Sequence, residues 1–409
     1  MNDIIFPKKI VTDVEIRGKT VLLRTDYNVP MRGPRIADDF RIRSSLPTID
    51  YLIKNGAKIV IISHLGRPDS SKDFRFSLEP VANRLSELLN KKVSFINECA
   101  SDKVRLFVKK MANGDVVLLE NLRFNIGEET NDHKFARDLV KFTNADLFVN
   151  DAFGAAHRAH ASTAAITDFV PSVAGLLLKK EYLNVKNAIE NPNRPLVAII
   201  GGAKIADKTP LIAKFVDIAD EIIIGGAIAN NFLMAEGYPI GASLWDAETD
   251  EIVRDIIAAA KQKFGADYAK KFLLPIDLAI SKNGNPTGAR VVVTRNKVAA
   301  NNVIYDLGTK SITKVIESIR NAGTVIWNGT LGLAEKPHYS VASEKVAETL
   351  ASNPQIFSVI GGGDTTDFVR GWDKLDGGSF SYVSTGGGAS LELMTGQKLP
   401  GIENLIDRQ

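Results

Sequence analysis

The sequence contains a single cysteine, Cys99, among its 409 residues. One thiol cannot build a disulfide framework or a cysteine-based zinc site, so both of these classes are excluded. Histidine is scarce as well, and the only closely spaced pair is His157 and His160. Zinc would need a third ligand beside this pair, and with Arg158 between the two histidines a zinc site is the less favoured interpretation.

Long apolar runs and a strong charge of one sign are also missing. No segment approaches the roughly 18 consecutive apolar residues that a membrane span requires. The N-terminal stretch MNDIIFPKKIVTD mixes charged with apolar residues and lacks a signal-peptide core, so we expect a soluble cytoplasmic protein. The net charge of +3, without a lysine- or arginine-rich run, disfavours nucleic acid as a partner.

Two common nucleotide-binding signatures are absent, because the sequence contains neither G-x-x-x-x-G-K-[ST] nor G-x-G-x-x-G. No Ser-His-Asp or Cys-His arrangement is evident either. A protein nucleophile is not needed, however, where a nucleotide phosphate or a carboxylate that is already ionised near pH 7 takes part in phosphoryl transfer.

Short runs of Val, Ile and Leu recur along the chain, and a turn follows each of them. Examples are TVLLRTDYN, KIVIISHLG, LVAIIGGAK and FSVIGGGDT, with helical patterns such as EPVANRLSELLN between many of the runs. Uninterrupted apolar runs are typical of strands buried on both faces, and their alternation with helices predicts an α/β fold with parallel sheets.

The length of the chain predicts two domains, because a single core rarely exceeds roughly 250–300 residues. The segment LLLKKEYLNVKNAIENPNRP has a helical pattern that ends in Asn-Pro and Arg-Pro. We therefore predict an N-terminal lobe at 1–178, a linker helix at 179–194 and a C-terminal lobe at 195–396.

The turns of the first half carry cationic and polar side chains. Ligands of parallel sheets bind beyond the carboxyl ends of the strands, where these turns are expected to lie. Arginine matches carboxylate and phosphate groups in a bidentate manner, so their convergence would form a site for a small anion. Asp26 could hold a substrate hydroxyl or could instead be the buried partner of Arg24. The residues are Arg24, Asp26, Asn28, Arg41, His64, Arg67, Arg123, His157, Arg158 and His160.

The turns of the second half carry glycine. Glycine lets backbone amides approach an anion closely, and four clusters after successive strands favour a phosphate site over close helix–sheet packing. Lys204 and Lys208 would share one face of a helix that begins there, and Asp364 is a plausible ligand for a nucleotide-bound magnesium ion. The clusters are 201–202, 225–226, 361–363 and 386–388. The two halves together indicate a bilobal phosphotransferase, with a polyanion on one lobe and a magnesium nucleotide on the other.

Several motifs resemble the phosphoglycerate kinase family, in the same order across almost the whole chain. They are RTDYNVP, SHLGRP, LENLRF, FGAAHRAHAS, GGAKIADK, GGGDTT and STGGGASLELMTGQKLPG. The resemblance implies two Rossmann-like lobes, each a three-layer sandwich around a parallel sheet, with the tail 397–409 returning to the N-terminal lobe. It also implies reversible transfer of a phosphoryl group from 1,3-bisphosphoglycerate to ADP, giving 3-phosphoglycerate and ATP, by a magnesium-dependent monomer with hinge closure.

The resemblance also implies a role for each matching residue. In the N-terminal lobe, Asp26 and Asn28 would hold the substrate hydroxyl, and Arg41 would meet the carboxyl group and the transferring phosphoryl group. The triose phosphate would be bound by His64, Arg67, Arg123 and Arg158.

In the C-terminal lobe, Lys204 would meet the transferring phosphoryl group and Lys208 the nucleotide phosphates. Asp364 would bind magnesium, while Asn328 and Glu335 would face the phosphates and the ribose. The resemblance assigns catalytic amides to Gly363 and Gly386, the adenine pocket to Gly225 and Gly226, and further nucleotide contacts to Gly202, Gly361, Gly362 and Thr365.

The chain departs from the family pattern beside the expected nucleotide site. The family usually has Asn-Gly-Pro and Phe-Glu where this chain reads NGTLGLAE, with Thr330 and Ala334, and Asp-Ile-Gly-Pro where it reads DLGTKS, with Thr309. Asn328, Glu335 and Asp306 are unchanged, so the departures bear on nucleotide affinity and base preference rather than on the chemistry.

Two alternatives remain open. A two-lobed kinase for a different small carboxylate would keep the glycine clusters but change the cations of HRAH and LRF. A nucleotide-binding protein without catalysis should have lost Lys204, Arg41 or Asp364. The sequence retains all of these residues.

Overall fold

The computed structural model describes residues 4–70 and 73–408. They form two compact units, an N-terminal unit of residues 4–183 and 396–408 and a C-terminal unit of residues 184–395. The outer ends of the predicted lobes, at residues 1 and 409, lie outside the described residues. Within the described part of the chain, no helix is both long and apolar enough to cross a bilayer.

A parallel sheet forms the centre of the N-terminal unit. The strands of this unit are β1 Thr20–Arg24, β2 Met31–Arg32, β3 Arg35–Ile36, β4 Lys58–Ile62, β5 Val93–Ile96, β6 Val116–Leu119, β7 Leu147–Asn150 and β8 Ser172–Ala174. Six of them pair in the order β5-β6-β4-β1-β7-β8, with every pair parallel. The remaining two, β2 and β3, form a separate antiparallel hairpin.

Helices cover both faces of this sheet. They are α1 Phe40–Lys54, α2 Glu79–Leu89, α3 Asp102–Val108 and α4 His133–Thr143. Alternate residues of β1 point to opposite faces, so Val21 and Leu23 pack with α1 and α2, while Leu22 packs with α3 and α4. The sheet is therefore buried on both faces, as the apolar runs in the sequence predict.

The linker helix is α5, Leu176–Glu190, whereas the sequence predicted it at 179–194. It begins earlier because Oδ1 of the buried Asp151 accepts hydrogen bonds from two amides of its first turn, at 2.9 and 3.1 Å. It ends earlier because Pro192 disfavours helical backbone at the residue before it. The division between the two units falls within this helix, after residue 183.

The C-terminal unit contains a second parallel sheet. Its strands are β9 Leu196–Ile200, β10 Glu221–Ile224, β11 Phe272–Leu273, β12 Asp277–Lys282, β13 Val291–Thr294, β14 Asn302–Leu307, β15 Thr324–Asn328, β16 Phe357–Gly361 and β17 Tyr382–Val383. Six of them pair in parallel in the order β11-β10-β9-β15-β16-β17. The helices are α6 Thr209–Ile218, α7 Ile228–Ala235, α8 Asp250–Phe264, α9 Tyr268–Lys271, α10 Thr309–Arg320, α11 Val341–Ala351, α12 Gly363–Trp372 and α13 Gly388–Met394, and α14 Pro400–Glu403 follows in the N-terminal unit.

An antiparallel sheet in the order β13-β12-β14 was not predicted from the sequence. Its outer strand β13 contains only three consecutive valines before Thr294, and these positions alternate between half-buried and exposed instead of being buried on both faces. Leu278 and Ile280 of β12 pack against Leu233 of α7, which attaches the small sheet to the rest of the unit.

Strand order determines where ligands can bind. In the N-terminal sheet β1 lies between β4 and β7, and in the C-terminal sheet β9 lies between β10 and β15. Successive connections therefore run in opposite directions from β1 and from β9. Such a reversal leaves a crevice at the carboxyl ends of the strands, which is the usual ligand site of open α/β sheets.

Candidate active site

The predicted anion-binding residues of the N-terminal unit follow strands of the same sheet. Because these strands are parallel, their carboxyl ends share one edge. The structure has Asp26 and Asn28 after β1, Arg41 in the first turn of α1, His64 and Arg67 after β4, Arg123 in the 3-10 turn Leu122–Phe124 after β6, and Arg158 in the loop after β7.

Hydrogen bonds hold the SHLGRP turn from both sides. Oδ1 of Asn28 accepts from the amide of Gly66 at 2.8 Å, and Nη1 of Arg123 donates to the carbonyl of Gly66 at 2.6 Å. The turn is thereby fixed between the ends of β1 and β6. Arg67, the next residue, is exposed.

Asp26 forms an ion pair with Arg41 through Oδ2 and Nη1. Its Oδ1 accepts from the amide of Asn28 at 3.1 Å. Burial raises the pKa of Asp26, but the charge of Arg41 and the hydrogen bond from this amide contribute to a net shift well below its usual value. Asp26 is therefore a charged partner that orients Arg41 at the edge of the sheet.

Arg24 is fully buried, and its guanidinium group lies 3.6 Å from the buried carboxylate of Glu128. Ser162 bridges the two residues, because its Oγ accepts from Nε of Arg24 at 2.8 Å and donates to Glu128 at 2.6 Å. No local pattern in the sequence points to Glu128 or Ser162, since Ser162 lies 138 residues from Arg24. The one available clue was general: a buried arginine requires a buried partner.

The guanidinium groups of Arg24, Arg67 and Arg158 lie close enough to that of Arg123 for their charges to act on its pKa. Burial lowers this pKa, the carboxylate of Glu129 raises it, and the three neighbouring charges lower it. Nη2 of Arg123 pairs with Glu129 at 2.7 Å, while Nε is buried without a hydrogen-bond partner among the described residues. Several neighbouring guanidinium groups, one of them with a free N–H donor, form a suitable site for an anion with several oxygen atoms.

The HRAH motif faces the same cations. Burial and the charges of Arg24, Arg123 and Arg158 lower the pKa of His160 to about 4. Nε of Arg158 donates to Nε2 of His157 at 3.1 Å, which commits that ring nitrogen to an arginine. Across residues 4–70 and 73–408, no group of three or more His, Cys, Asp or Glu residues could hold a metal ion.

In the C-terminal unit, glycine loops meet at the carboxyl ends of β9, β10 and β15. Gly329 has a φ of +98°, and a Cβ atom there would lie 2.0 Å from the carbonyl oxygen of Gly201. A Cβ atom at Gly226 would lie 2.6 Å from the amide nitrogen of Gly202. Any side chain at these positions would force the loops apart, so glycine is required for this backbone approach.

Lys208 is the N-cap residue of α6, and its Nζ contacts Oδ1 of Asn328 at the end of β15. Burial lowers the pKa of Lys208 to about 8, although Asp207 and Asp364 raise it. Nδ2 of Asn328 is buried and has no hydrogen-bond partner among the described residues. A desolvated ammonium group beside a free amide donor is suited to an anionic oxygen.

The third glycine cluster begins α12. Gly362 is the N-cap residue with a φ of +89°, Asp364 is exposed in the first turn, and Oγ1 of Thr365 accepts from the amide of Gly329 at 2.7 Å. A single exposed carboxylate fits a magnesium ion whose other ligands are phosphate oxygens and water. The last cluster is similar, since Gly387 is the N-cap residue of α13 and the amide of Gly386 donates to Ser384 at 3.0 Å.

Lys204 does not share a helical face with Lys208, because the condition for this arrangement, a helix that begins at the glycine turn, is not met. Helix α6 begins only at Thr209, with Pro210 in the first turn, where proline is favoured. Lys204 is therefore exposed in the loop after β9, and Glu335 is exposed in the loop after β15. No described contact ties either side chain to the glycine loops.

The positions that depart from the motif pattern lie around these loops. Thr330 is buried; its carbonyl accepts from the amide of Gly202 at 2.8 Å and its hydroxyl donates to the carbonyl of Gly332 at 3.0 Å. Thr309 begins α10 and is exposed, and Ala334 is half-buried. Thr330 is thus part of the glycine junction itself.

Comparison with known proteins agrees with these features. A family model described as phosphoglycerate kinase matches residues 11–397. The phosphoglycerate kinase of Pelotomaculum thermopropionicum is 44% identical over 401 residues, which is 98% of this chain and 100% of that protein. The phosphoglycerate kinase of Dictyoglomus turgidum is 42% identical over 404 residues, with coverage of 98% and 100%.

A solved structure of phosphoglycerate kinase from Coxiella burnetii is 36% identical and has a TM-score of 0.84, covering 97% of this chain and 98% of that chain. The two parallel-sheet α/β domains predicted from the sequence are confirmed by this likeness. Family model, relatives and fold agree over nearly the full length, and the chain belongs to the phosphoglycerate kinase family.

Proposed function

We propose that the cations at the carboxyl edge of the N-terminal sheet bind the triose phosphate, and that the glycine loops of the C-terminal unit bind ADP or ATP. As a family member, the chain is a phosphotransferase that interconverts 1,3-bisphosphoglycerate and ADP with 3-phosphoglycerate and ATP. The observation that carries the proposal is the convergence of Arg24, Arg67, Arg123 and Arg158 on one region.

Each end of the triose phosphate has a suitable partner in this arrangement. The phosphate group would be bound by Arg67, Arg123, Arg158 and His64, because guanidinium groups match phosphate oxygens in a bidentate manner. Asp26 and Asn28 would hold the hydroxyl group. Arg41, oriented by Asp26, would meet the carboxyl group where the phosphoryl group is gained or lost.

The nucleotide phosphates would be held by Lys208, by Nδ2 of Asn328 and by backbone amides of Gly361–Gly363 at the start of α12. Further contacts to the nucleotide would come from Gly202 and Thr365. The adenine would lie against Gly225–Gly226, and Glu335 would reach the ribose. Asp364 would hold the magnesium ion, which when bound neutralises part of the phosphate charge.

Direct in-line transfer needs no covalent intermediate with the protein. Arg41, Lys204 and the amides of Gly363 and Gly386 would stabilise the charge that spreads over the transferring phosphoryl group. The reacting atoms must come within about 3–3.5 Å with water excluded. Since the two ligands bind to separate units, we propose that the units close on each other when both are bound. The candidate hinges lie near Gly175, at 191–192 and in the loop after 386–388.

We further propose that the enzyme acts as a monomer in the cytoplasm, without a membrane or nucleic-acid partner. Every residue assigned to either ligand comes from one copy of the chain, so no second subunit is needed to complete a site.

A coupled assay of ATP consumption tests the proposed function. We expect turnover with 3-phosphoglycerate and little with unphosphorylated glycerate or other small carboxylates, because these lack the group that the arginines bind. Comparable turnover with glycerate would contradict the assigned phosphate site. Turnover with another phosphorylated carboxylate alone would instead identify a kinase of different specificity.

Replacement of Lys204 by alanine should reduce kcat by about a hundred- to a thousandfold, because its charge acts on the transferring phosphoryl group. The dissociation constant of ADP should change little. Steady-state kinetics and calorimetry measure the two quantities, and the exposed Lys297→Ala of the same unit is the matched control. A fall in kcat of less than about fivefold, or a rise in KM alone, would contradict this role.

Replacement of Arg158 by alanine should weaken 3-phosphoglycerate binding by roughly ten- to a hundredfold, since one charge-assisted contact is lost. The affinity for ADP should be unchanged, because ADP binds to the other unit. Calorimetric titration of each ligand measures this, with the exposed Arg137→Ala as the control. Equal loss of ADP affinity would contradict the assignment of one ligand to each unit.

Above about pH 8, the protein should take up a proton from solution when it binds a nucleotide. The pKa of Lys208 is lowered to about 8 in the free protein, so the side chain is partly neutral above that pH. Nucleotide phosphates would raise this pKa and reprotonate the amine. Calorimetry of MgADP binding in buffers of different ionisation enthalpy should therefore show uptake at about pH 8.5 that disappears at about pH 6.5.

The matched control for this proton uptake is Lys208→Arg, because a guanidinium group stays protonated throughout this range. No uptake is expected in that variant. Equal uptake in the variant and the unaltered protein would show that another group titrates.

A further inference from the structure

Arg24 and His64 contact each other beneath the proposed triose-phosphate site. Nη2 of the buried Arg24 lies 3.1 Å from Nδ1 of His64. A guanidinium group carries only N–H donors and is not deprotonated in proteins. For this contact to be a hydrogen bond, Nδ1 of His64 must carry a lone pair and accept it.

We infer that Arg24 is a positioning residue that holds His64 as the neutral tautomer with its proton on Nε2. In that form Nε2 donates a hydrogen bond to an anionic oxygen of the bound triose phosphate. The second statement depends on the function proposed above, whereas the tautomer is a property of the free protein.

Arg24 cannot easily turn away from His64, because its other two nitrogen atoms each donate a hydrogen bond. Nε donates to Oγ of Ser162 at 2.8 Å, and Nη1 donates to the carbonyl of Thr25 at 2.5 Å. The carboxylate of Glu128 lies 3.6 Å from Nη2 and offsets the buried charge. The guanidinium group is thus held through Nε, Nη1 and the neighbouring carboxylate, and its third nitrogen, Nη2, is aimed at His64.

The charges around His64 also keep its ring neutral. The side chain is almost fully buried, and burial lowers its pKa well below the usual value. Arg24 lowers the pKa further, Asp26 raises it, and Arg123 and Arg41 lower it. A protonated ring would also place a hydrogen atom on Nδ1, directly against the donor of Arg24.

This arrangement suits an anionic ligand. With the proton on Nε2, the ring offers a donor to a phosphate oxygen, whereas the other tautomer would offer a lone pair and repel it. Because the ring stays neutral, its contribution should not titrate between about pH 6 and 8, the range in which an ordinary histidine changes charge.

Nuclear magnetic resonance of the full chain with ¹⁵N-labelled histidine tests the tautomer directly. The His64→Gln variant identifies the signals of His64 among the five histidines. Without ligand, we expect a protonated Nε2 and an unprotonated Nδ1 from about pH 5.5 to 8. A proton on Nδ1, or a doubly protonated ring at about pH 7, would overturn the inference even if the coupled assay supports the proposed reaction.

Variants of Arg24 test its positioning role. Arg24→Met removes both the donor and the charge, so the pKa of His64 should rise toward about 6.5 and the Nδ1-protonated tautomer should appear. The affinity for 3-phosphoglycerate should fall by roughly ten- to a hundredfold. Arg24→Lys supplies an ammonium group, which can donate but not accept a hydrogen bond, and should restore the Nε2-protonated tautomer. The exposed Arg137→Met of the same unit is the control.

Arg24→Met also leaves Glu128 without its charged partner, which could prevent folding. In that case the double variant Arg24→Met/Glu128→Gln removes the unpaired charge and serves for the same measurements. If either Arg24 variant folds and His64 keeps both its Nε2-protonated tautomer and its pKa, Arg24 does not position His64. Lower stability with an unchanged His64 would show that the role of Arg24 is purely structural.

Discussion

Positive charge gathered at the carboxyl edge of the N-terminal sheet is the constraint on which the candidate site depends. Each of three arginines meets a carboxylate: Arg24 with Glu128, Arg41 with Asp26, and Arg123 with Glu129. These pairs hold the guanidinium groups in place, but they leave Arg67 and Arg158 without a neighbouring carboxylate among the described contacts. A polyanionic substrate would offset this remaining charge, so binding should stabilise the folded unit as well as position the substrate.

The C-terminal unit is suited to an anion for a different physical reason. Its loops approach one another so closely that Gly201, Gly226 and Gly329 leave no room for a Cβ atom. Instead of many guanidinium groups, this unit offers helix N-termini, a desolvated Lys208 and the free amide of Asn328. Backbone amides cannot turn away from the ligand, which suits the flexible phosphate chain of a nucleotide.

The sequence predicted the two parallel sheets and the strand ends that carry the site, because uninterrupted apolar runs and the turns after them are local signals. It could not reveal the Arg24–Glu128 contact, since only the folded chain brings these residues together. The spacing of Lys204 and Lys208 would place them on one face only if a helix began at the glycine turn, whereas α6 begins at Thr209 with Pro210 in its first turn. The antiparallel sheet was missed because β12 and β14 mix apolar with polar residues and β13 offers only three consecutive valines, so none of them shows the longer apolar run of the other strands.

We propose that each unit binds one ligand and that transfer requires the units to close around both. Small-angle scattering of the free chain, of its complexes with 3-phosphoglycerate or MgADP, and of the complex with both ligands and a metal-fluoride phosphoryl mimic tests it most directly. We expect the radius of gyration to be smallest in the full complex and to change less with either ligand alone. An unchanged radius in the full complex at saturating ligand would contradict it.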